Sequence, residues 1–259
     1  MPKSYRILSW NINGLRAVLK KDFISWFKKD SADVLCLQEI KATQAQLPPE
    51  ILQYPDYHIS WNSAERLGYS GVATFSKDKP VRVNTGCGLK HFDCEGRVIE
   101  TEFPEFTLFN IYFPNGKMNP ERLKYKMDFY EQYLDYFVKL RKKGKKLVVC
   151  GDVNTAHKEI DLARPRENSK TSGFLPMERE WIDRLISKGF VDSFRVFDQN
   201  PGKYTWWDTM TGARARNVGW RIDYHFISED LRPHLKEAFI MPEVMGSDHC
   251  PVGLTLRFP

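Results

Sequence analysis

Gly151-Asp152-Val153-Asn154 sets a carboxylate and a carboxamide two residues apart, directly after the apolar run Leu147-Val148-Val149-Cys150. Such a run fits a short strand buried on both faces. In layered α/β folds the reacting groups stand just beyond the carboxyl ends of strands. Alternation there points Asp152 and Asn154 to one side, where their oxygens could hold a hard cation or orient a water. Gly, Asp and Asn are also ordinary turn formers, so the segment alone leaves a plain strand-to-turn junction open. The chain, however, repeats the pattern. A strand over residues 5–10 runs into Asn11-Ile12-Asn13-Gly14, a second over 33–37 delivers Gln38-Glu39, and Asp223 opens a strand over 223–227. Asp248-His249, between Gly246 and Pro251, is a weak motif by itself that adds an acid and an imidazole.

These groups need elements to carry them. Further strands are expected over 57–61, 71–75, 97–103, 106–113 and 252–256, with Gly68-Tyr69-Ser70-Gly71 as a tight entry to one of them. Phe23, Trp26 and Phe27 recur at helical spacing. Asn119-Pro120 reads as a cap and first-turn pair for a helix whose stripe is Leu123, Met127, Tyr130, Leu134 and Phe137. That helix closes on Lys139, Arg141, Lys142, Lys143, Lys145 and Lys146, whose charges offset its dipole as a solvated end. After an irregular stretch over 157–175, another helix begins near Pro176 with Trp181, Ile182, Leu185 and Ile186 inward. Both halves therefore bring strands to polar ends. This plan predicts two sheets face to face, helices outside, and the polar ends meeting at one edge.

With 259 residues, 42% of them hydrophobic, the chain can bury one sizeable core, and a single domain over 1–259 is expected. The 39 basic and 33 acidic residues leave +6, which suits a polyanionic partner without identifying one. Cys36, Cys87, Cys94, Cys150 and Cys250 form no CxxC pair and are odd in number, so neither a zinc ribbon nor a full disulfide framework is signalled. Cys36 and Cys150 lie in apolar runs and read as core. No apolar leader or membrane-length run appears, so a soluble, intracellular protein without a membrane partner is expected. Between 201 and 220, Tyr204, Trp206, Trp207 and Trp220 are interleaved with Lys203, Arg214 and Arg216, and Arg221 follows. Aromatics among arginines suit stacking on bases beside a phosphate backbone.

Trp10-Asn11, Leu37-Gln38-Glu39, Gly68-Tyr69-Ser70-Gly71, Gly96-Arg97, Gly151-Asp152-Val153-Asn154, the run from Asn217 to Tyr224, and Gly246-Ser247-Asp248-His249-Cys250-Pro251 together resemble the exonuclease III family of apurinic/apyrimidinic (AP) endonucleases. The motifs fall in register over nearly the whole chain. The resemblance implies a four-layer α/β sandwich of DNase I type, two packed mixed β-sheets flanked by helices. It also implies base-excision repair: Mg²⁺-dependent hydrolysis of the phosphodiester 5′ to an abasic site in double-stranded DNA, with 3′-to-5′ exonuclease and 3′-end-cleaning activity.

By the same resemblance Glu39 is the principal metal ligand, helped by Asn11 and Asp248, with Mn²⁺ able to replace Mg²⁺. Asp152 orients or deprotonates the attacking water. Asn154 and His249 hold the phosphate, Asp223 holds His249, and Tyr112 donates to the phosphate. Asn115, Asn168, Lys117, Arg214 and Arg216 contact phosphate or DNA, and Trp206, Trp220 and Ile222 receive the flipped-out sugar. A monomer in a prokaryotic or archaeal cytoplasm, associated with the nucleoid, is expected.

Three positions depart from relatives: Asn13 stands where some carry Asp, Thr171 where many carry Asn, and Trp206 where many carry Phe. Gly116-Lys117-Met118 and the Trp206-Trp207 pair resemble an archaeal branch, some of which nicks DNA at deoxyuridine. Two other readings are a phosphoinositide phosphatase or general nuclease on the same scaffold, and a non-catalytic DNA-damage binder. The first has no use for Trp220-Arg221-Ile222 beside stacking aromatics, and the second no need for the complete set of catalytic residue types.

Overall fold

A computed structural model describes residues 2–259. In chain order its strands are β1 (Lys3–Asn11), β2 (Val34–Gln38), β3 (His58–Asn62), β4 (Val72–Ser76), β5 (Arg82–Thr85), β6 (Val98–Glu102) and β7 (Thr107–Tyr112). They continue as β8 (Leu147–Asp152), β9 (Phe190–Asp192), β10 (Trp206–Trp207), β11 (Gly219–Trp220), β12 (Asp223–Ser228), β13 (Leu235–Ile240) and β14 (Val252–Phe258). The helices are α1 (Leu15–Val18), α2 (Phe23–Asp30), α3 (Pro49–Leu52), α4 (Lys90–Asp93), α5 (Pro120–Lys142), α6 (Pro176–Ser187) and α7 (Ser193–Phe197).

Two six-stranded mixed sheets form, ordered β13-β14-β1-β2-β4-β3 and β5-β6-β7-β8-β12-β9. The one parallel pair in each is β1 with β2 and β7 with β8. Alternation along these strands splits their side chains between two layers. From β1 and β2, Ile7, Val34 and Cys36 face inward and meet Leu108, Val148, Cys150 and Ile227 of the second sheet. Their neighbours Leu8, Trp10, Leu35 and Leu37 face outward onto Leu15, Val18, Phe23 and Phe27 of α1 and α2. On the other side Phe109, Val149 and Phe226 pack outward against Phe129, Tyr133 and Phe137 of α5 and Trp181 and Leu185 of α6. The order helix, sheet, sheet, helix is the four-layer sandwich expected, and it belongs with mixed sheets of DNase I type.

Asn119 does cap α5, its side chain accepting from Arg122 N at 2.8 Å. The apolar face of α5 is broader than the expected stripe, because Phe129, Tyr133 and Leu140 are buried while Leu123 and Met127 are only partly so. Cys36 and Cys150 are buried free thiols, as read. Sequence reading missed β5, β9, β13 and the Trp-bearing ribbon of β10 and β11. These strands are short or edge-placed, and β13, with its pattern Leu-Lys-Glu-Ala-Phe-Ile, is mostly open to solvent. Among the described residues no helix is long and apolar enough to cross a membrane.

Candidate active site

The parallel pairs deliver their carboxyl ends to the same edge of the sandwich. Asn11 is the last residue of β1, Glu39 follows β2, Tyr112 ends β7, Asp152 ends β8, and Asp223 opens the antiparallel β12 directly opposite Asp152. Two backbone features make the bends. Glu39 takes φ +52, and Gly151 takes φ +135 with its Cα pressed against Ile111, where a Cβ would run into the carbonyl oxygen. Only glycine is comfortable there.

At this edge Asn11 Nδ2 donates both to Glu39 Oε1 (2.8 Å) and to Asp152 Oδ2 (2.9 Å), so one buried amide ties two carboxylates. Asn154, itself at φ +56, donates from its backbone N to Asp152 Oδ1 (2.8 Å) and from Nδ2 to Asp152 Oδ2 (3.1 Å). Asn115 Nδ2 donates to Asn154 Oδ1 (2.8 Å), which fixes the orientation of that amide. His249 donates from Nδ1 to Asp223 Oδ2 (2.9 Å) and presents Nε2 3.9 Å from Asp152 Oδ2. Thr205 Oγ1 donates to the same Asp223 oxygen at 2.6 Å.

Burial pushes the Asp152 carboxyl up, and the charges of Asp223 and Glu39 add to the rise against the pull of His249 and Asn11. His249 goes the other way from a buried imidazole. Desolvation draws its pKa down, but Asp223, Asp152 and Asp248 outweigh it, so the ring is held protonated. Burial lifts the Tyr112 phenol well above its ordinary value, the charge of Glu39 adds to this, and the hydroxyl stays neutral. Glu39 ends lowered: burial raises it, and Lys41 at 2.8 Å with the Asn11 amide more than reverses that.

Glu39, Asp152 and His249 bring one ligand atom each within 4.8 Å of one another. The two carboxylates of this group fit a hard divalent cation, whereas His249, held protonated, has no lone pair to give one. The lysine now on Glu39 marks the same demand for positive charge. The other two expected ligands are engaged in bonds of their own. Asp248 lies outside this group, its carboxylate taken by Trp206 Nε1 (3.0 Å), Asn13 Nδ2 (3.0 Å) and Ser247 Oγ (3.1 Å). Asn11 turns N–H groups to the carboxylates, while its oxygen accepts from Asn13 N at 3.0 Å.

Beside this cluster, β10 and β11 pair Trp206 with Trp220, and a single bridge sets Trp206 against His249. Ile222, Phe174, Leu162 and Ala156 form the floor on which both indoles pack. Other expected contacts are placed differently. The Arg214 guanidinium donates to the carbonyls of Ser247 (3.0 Å), Pro242 (2.8 Å) and Val244 (2.7 Å) and lies over Trp207, so it clamps a loop. Arg221 is buried between Asp161 (2.8 Å) and Asp192 (2.6 Å), an internal ion-pair network. Trp207 and Tyr204 are buried, whereas Arg216 is exposed, with one bond to Thr211 O. Asn168 donates to Arg164 O and is not in the cluster.

Sequence reading missed Lys126. It is fully buried, donating to Glu178 Oε1 (2.6 Å), Asn154 O (2.8 Å) and Thr155 Oγ1 (2.8 Å). Its position three residues after Leu123 and four before Tyr130 puts it on the apolar face of α5, which was the available signal. Thr205 carried none, since its role comes only from pairing across the ribbon.

Residues 8–249 match the Endonuclease/Exonuclease/phosphatase family. The chain belongs to this family. It is similar to the exodeoxyribonuclease of Bacillus subtilis (strain 168), 47% identical over 254 residues that cover 97% of this chain and 99% of that one. It is 44% identical to the DNA repair nuclease APEX1 of Danio rerio, over 97% of this chain and 82% of that one. Its fold superposes on an AP endonuclease from Archaeoglobus fulgidus with a TM-score of 0.88 and 28% identity, covering 97% and 99%. The expectation of a DNA-repair nuclease of AP endonuclease and exodeoxyribonuclease type stands, and so does that of a hydrolase. Metal dependence is general for the Endonuclease/Exonuclease/phosphatase family, in keeping with the donor set at Glu39.

Proposed function

We propose that the protein hydrolyses the phosphodiester on the 5′ side of an abasic site in duplex DNA, leaving a 3′-hydroxyl, and that it also trims 3′ ends. One observation carries the abasic preference: the apolar cluster of Trp206, Trp220 and Ile222 adjoins the reacting cluster directly. Trp206 donates to Asp248 and lies 6.5 Å, ring to ring, from His249. A phosphate held by His249 therefore has its sugar at the indoles. Those apolar faces suit a flipped sugar without a base.

In this reading Asp152, raised by burial, accepts the proton of the attacking water, and Asn154 and Asn11 hold the carboxylate toward it. Protonated His249 and neutral Tyr112 offer donors to phosphate oxygens, so charge that grows there meets hydrogen bonds already in place, while the Asn154 amide is spent on Asp152 and the Phe113 carbonyl. Asp223 and Thr205 keep the imidazole turned. Glu39 would hold the cation in exchange for Lys41, with Asn11 Nδ2 fixing its carboxylate. Mg²⁺ or Mn²⁺, when bound, supplies Lewis-acid stabilisation of the phosphate.

The test uses matched duplexes bearing a tetrahydrofuran abasic analogue, a deoxyuridine or only normal bases, each with Mg²⁺ and with EDTA, and maps the cut ends. Metal-dependent incision 5′ to the analogue with a 3′-hydroxyl is expected. Equal cutting of all three duplexes would reduce the reading to a general nuclease, binding without cutting would leave a damage binder, and neither would point to phosphoinositide substrates. The deoxyuridine lane decides the archaeal-type activity.

A further inference from the structure

Lys117 stands over the paired indoles of Trp206 and Trp220 and takes no part in the hydrolysis described. Its Nζ is 5.1 Å from the Trp206 ring centre and 5.3 Å from that of Trp220, two rings set edge to face at 80°. Among the described residues it has no ion-pair partner. The backbone that carries it is pinned. Lys117 N donates to Asn115 Oδ1 at 2.8 Å, and that same Asn115 grips Asn154 in the reacting cluster. At Gly116 a Cβ would stand 2.6 Å from Ser172 Oγ and 2.9 Å from Leu123, so the turn is pressed against both. An exposed, flexible stem thus rises from a rigid base and lays its amine against two indoles.

We propose that Lys117 is a nucleophile toward the ring-opened abasic sugar. The Nζ lone pair adds to the C1′ aldehyde carbon, forming the C–N bond as the carbonyl π pair moves to oxygen. A proton passes from nitrogen to oxygen to give the carbinolamine, which takes up a second proton, loses water and leaves an iminium; this sheds its N–H proton to become the imine, and water reverses the sequence. Metal is not required, because no phosphate oxygen reacts. The proposal rests on the reading that these indoles receive abasic sugars. It adds a reversible covalent hold on a substrate or nicked product whose sugar is free to open.

The chemistry of the amine agrees with its place. Desolvation lowers the Lys117 pKa, and Asp152, Glu178 and Asp208 only partly restore it. A lysine amine desolvated beside apolar walls is a better imine former than one in water, because more of it carries a free lone pair. The two indoles order the amine before the aldehyde arrives, and their cation–π attraction to the charged form opposes the effect of desolvation.

The experiment incubates the protein in EDTA with a duplex carrying a natural abasic site, adds borohydride, and maps the cross-linked peptide by mass spectrometry. The tetrahydrofuran duplex, which has no aldehyde, is the chemical control, and its Mg²⁺-dependent incision is measured in parallel. A reduced adduct on Lys117, lost to background in Lys117→Arg and Lys117→Ala after normalising to each variant's binding of the tetrahydrofuran duplex, is the expected result. Incision of the control without an adduct, or an adduct spread over other lysines and undiminished in Lys117→Arg, overturns the inference and leaves the nuclease reading intact. Absence of tetrahydrofuran incision instead removes the nuclease reading, while the adduct map still reports on Lys117.

Discussion

Replacing Lys126 by Met separates the support of the site from its chemistry. The Lys126 ammonium and the Glu178 carboxylate are both fully buried, 2.6 Å apart. Removing one partner of such a pair costs about 3–5 kcal/mol, because the other charge stays buried. Here the abandoned Glu178 keeps donors from Ser172 Oγ (2.8 Å), Gly173 N (2.6 Å) and Leu175 N (3.0 Å). The cost of Lys126→Met should therefore fall at the low end, about 3 kcal/mol. Adding Glu178→Gln removes the orphan charge while the new amide oxygen still accepts from those backbone N–H groups, and should return about 2 kcal/mol. Activity should not return with it, because the carbonyl of Asn154 has lost its 2.8 Å donor in both variants and that residue sits in a strained left-handed conformation. Urea unfolding followed by tryptophan fluorescence gives the stabilities, and turnover on the tetrahydrofuran duplex gives the activity. A single variant within about 1 kcal/mol of wild type would refute the buried-charge argument. Recovery of turnover together with stability in the double variant would refute the positional one.

Asp152→Asn should leave binding of abasic DNA nearly intact and lower turnover by orders of magnitude; near-normal turnover would remove Asp152 from proton transfer. Trp206→Ala should reduce the preference for abasic over intact duplex more than it reduces exonuclease trimming, and an equal loss on both would make the indole structural. Gly151→Ala should fail to yield a soluble two-state protein or unfold at much lower urea, since the new methyl meets the Ile111 carbonyl at φ +135; a wild-type urea midpoint would contradict the close approach. Asp161 is raised by burial but drawn down to about 2 by Arg221 and Arg195, so its folded pKa lies below the ordinary 3.8. It contributes about 2 kcal/mol above pH 4, lost as pH falls toward 2, and the Asp161→Asn protein should be weaker at pH 7 and flatter across that window; a parallel acid slope would rule this out.

Asn11, Glu39, Asp152 and Asp223 were legible in the sequence because each interrupts an apolar run, and a strand end is a local event. The resemblance added the roles. What escaped was non-local. Arg221 and Arg214 stand among tryptophans, and that pattern suits a DNA-facing loop; yet Asp161 and Asp192, at sequence separations of 60 and 29, take the first, and three carbonyls of the 242–247 loop take the second. Composition records an arginine but not its counter-charge. Lys126 escaped for the same reason, since Glu178 lies 52 residues away.

The inner layer explains why the reacting edge forms where it does. In register, Ile7 pairs with Val34, Ser9 with Cys36, and Asn11 with Gln38. Across the sandwich Leu108 pairs with Val148, Asn110 with Cys150, and Tyr112 with Asp152, while Ile227, His225 and Asp223 follow the same steps on β12. Along β1, β7, β8 and β12 each step of two residues moves from aliphatic, to polar or thiol-bearing, to a site residue, while β2 ends on Gln38, which reaches back to the middle step. The middle step is closed by its own bonds: Gln38 Nε2 donates to Asn110 Oδ1 (2.8 Å) and Ser9 Oγ (3.0 Å), and Asn110 Nδ2 to Ala73 O (2.8 Å). Buried polar groups tied in this way join the two sheets where hydrophobic packing alone would let them slide. The carboxylates above them thus rest on a layer that is polar enough to meet charge and bonded enough to stay fixed. That gradient, repeated on four strands, is why alternation put Asn11, Tyr112, Asp152 and Asp223 on facing inner surfaces instead of scattering them around the rim.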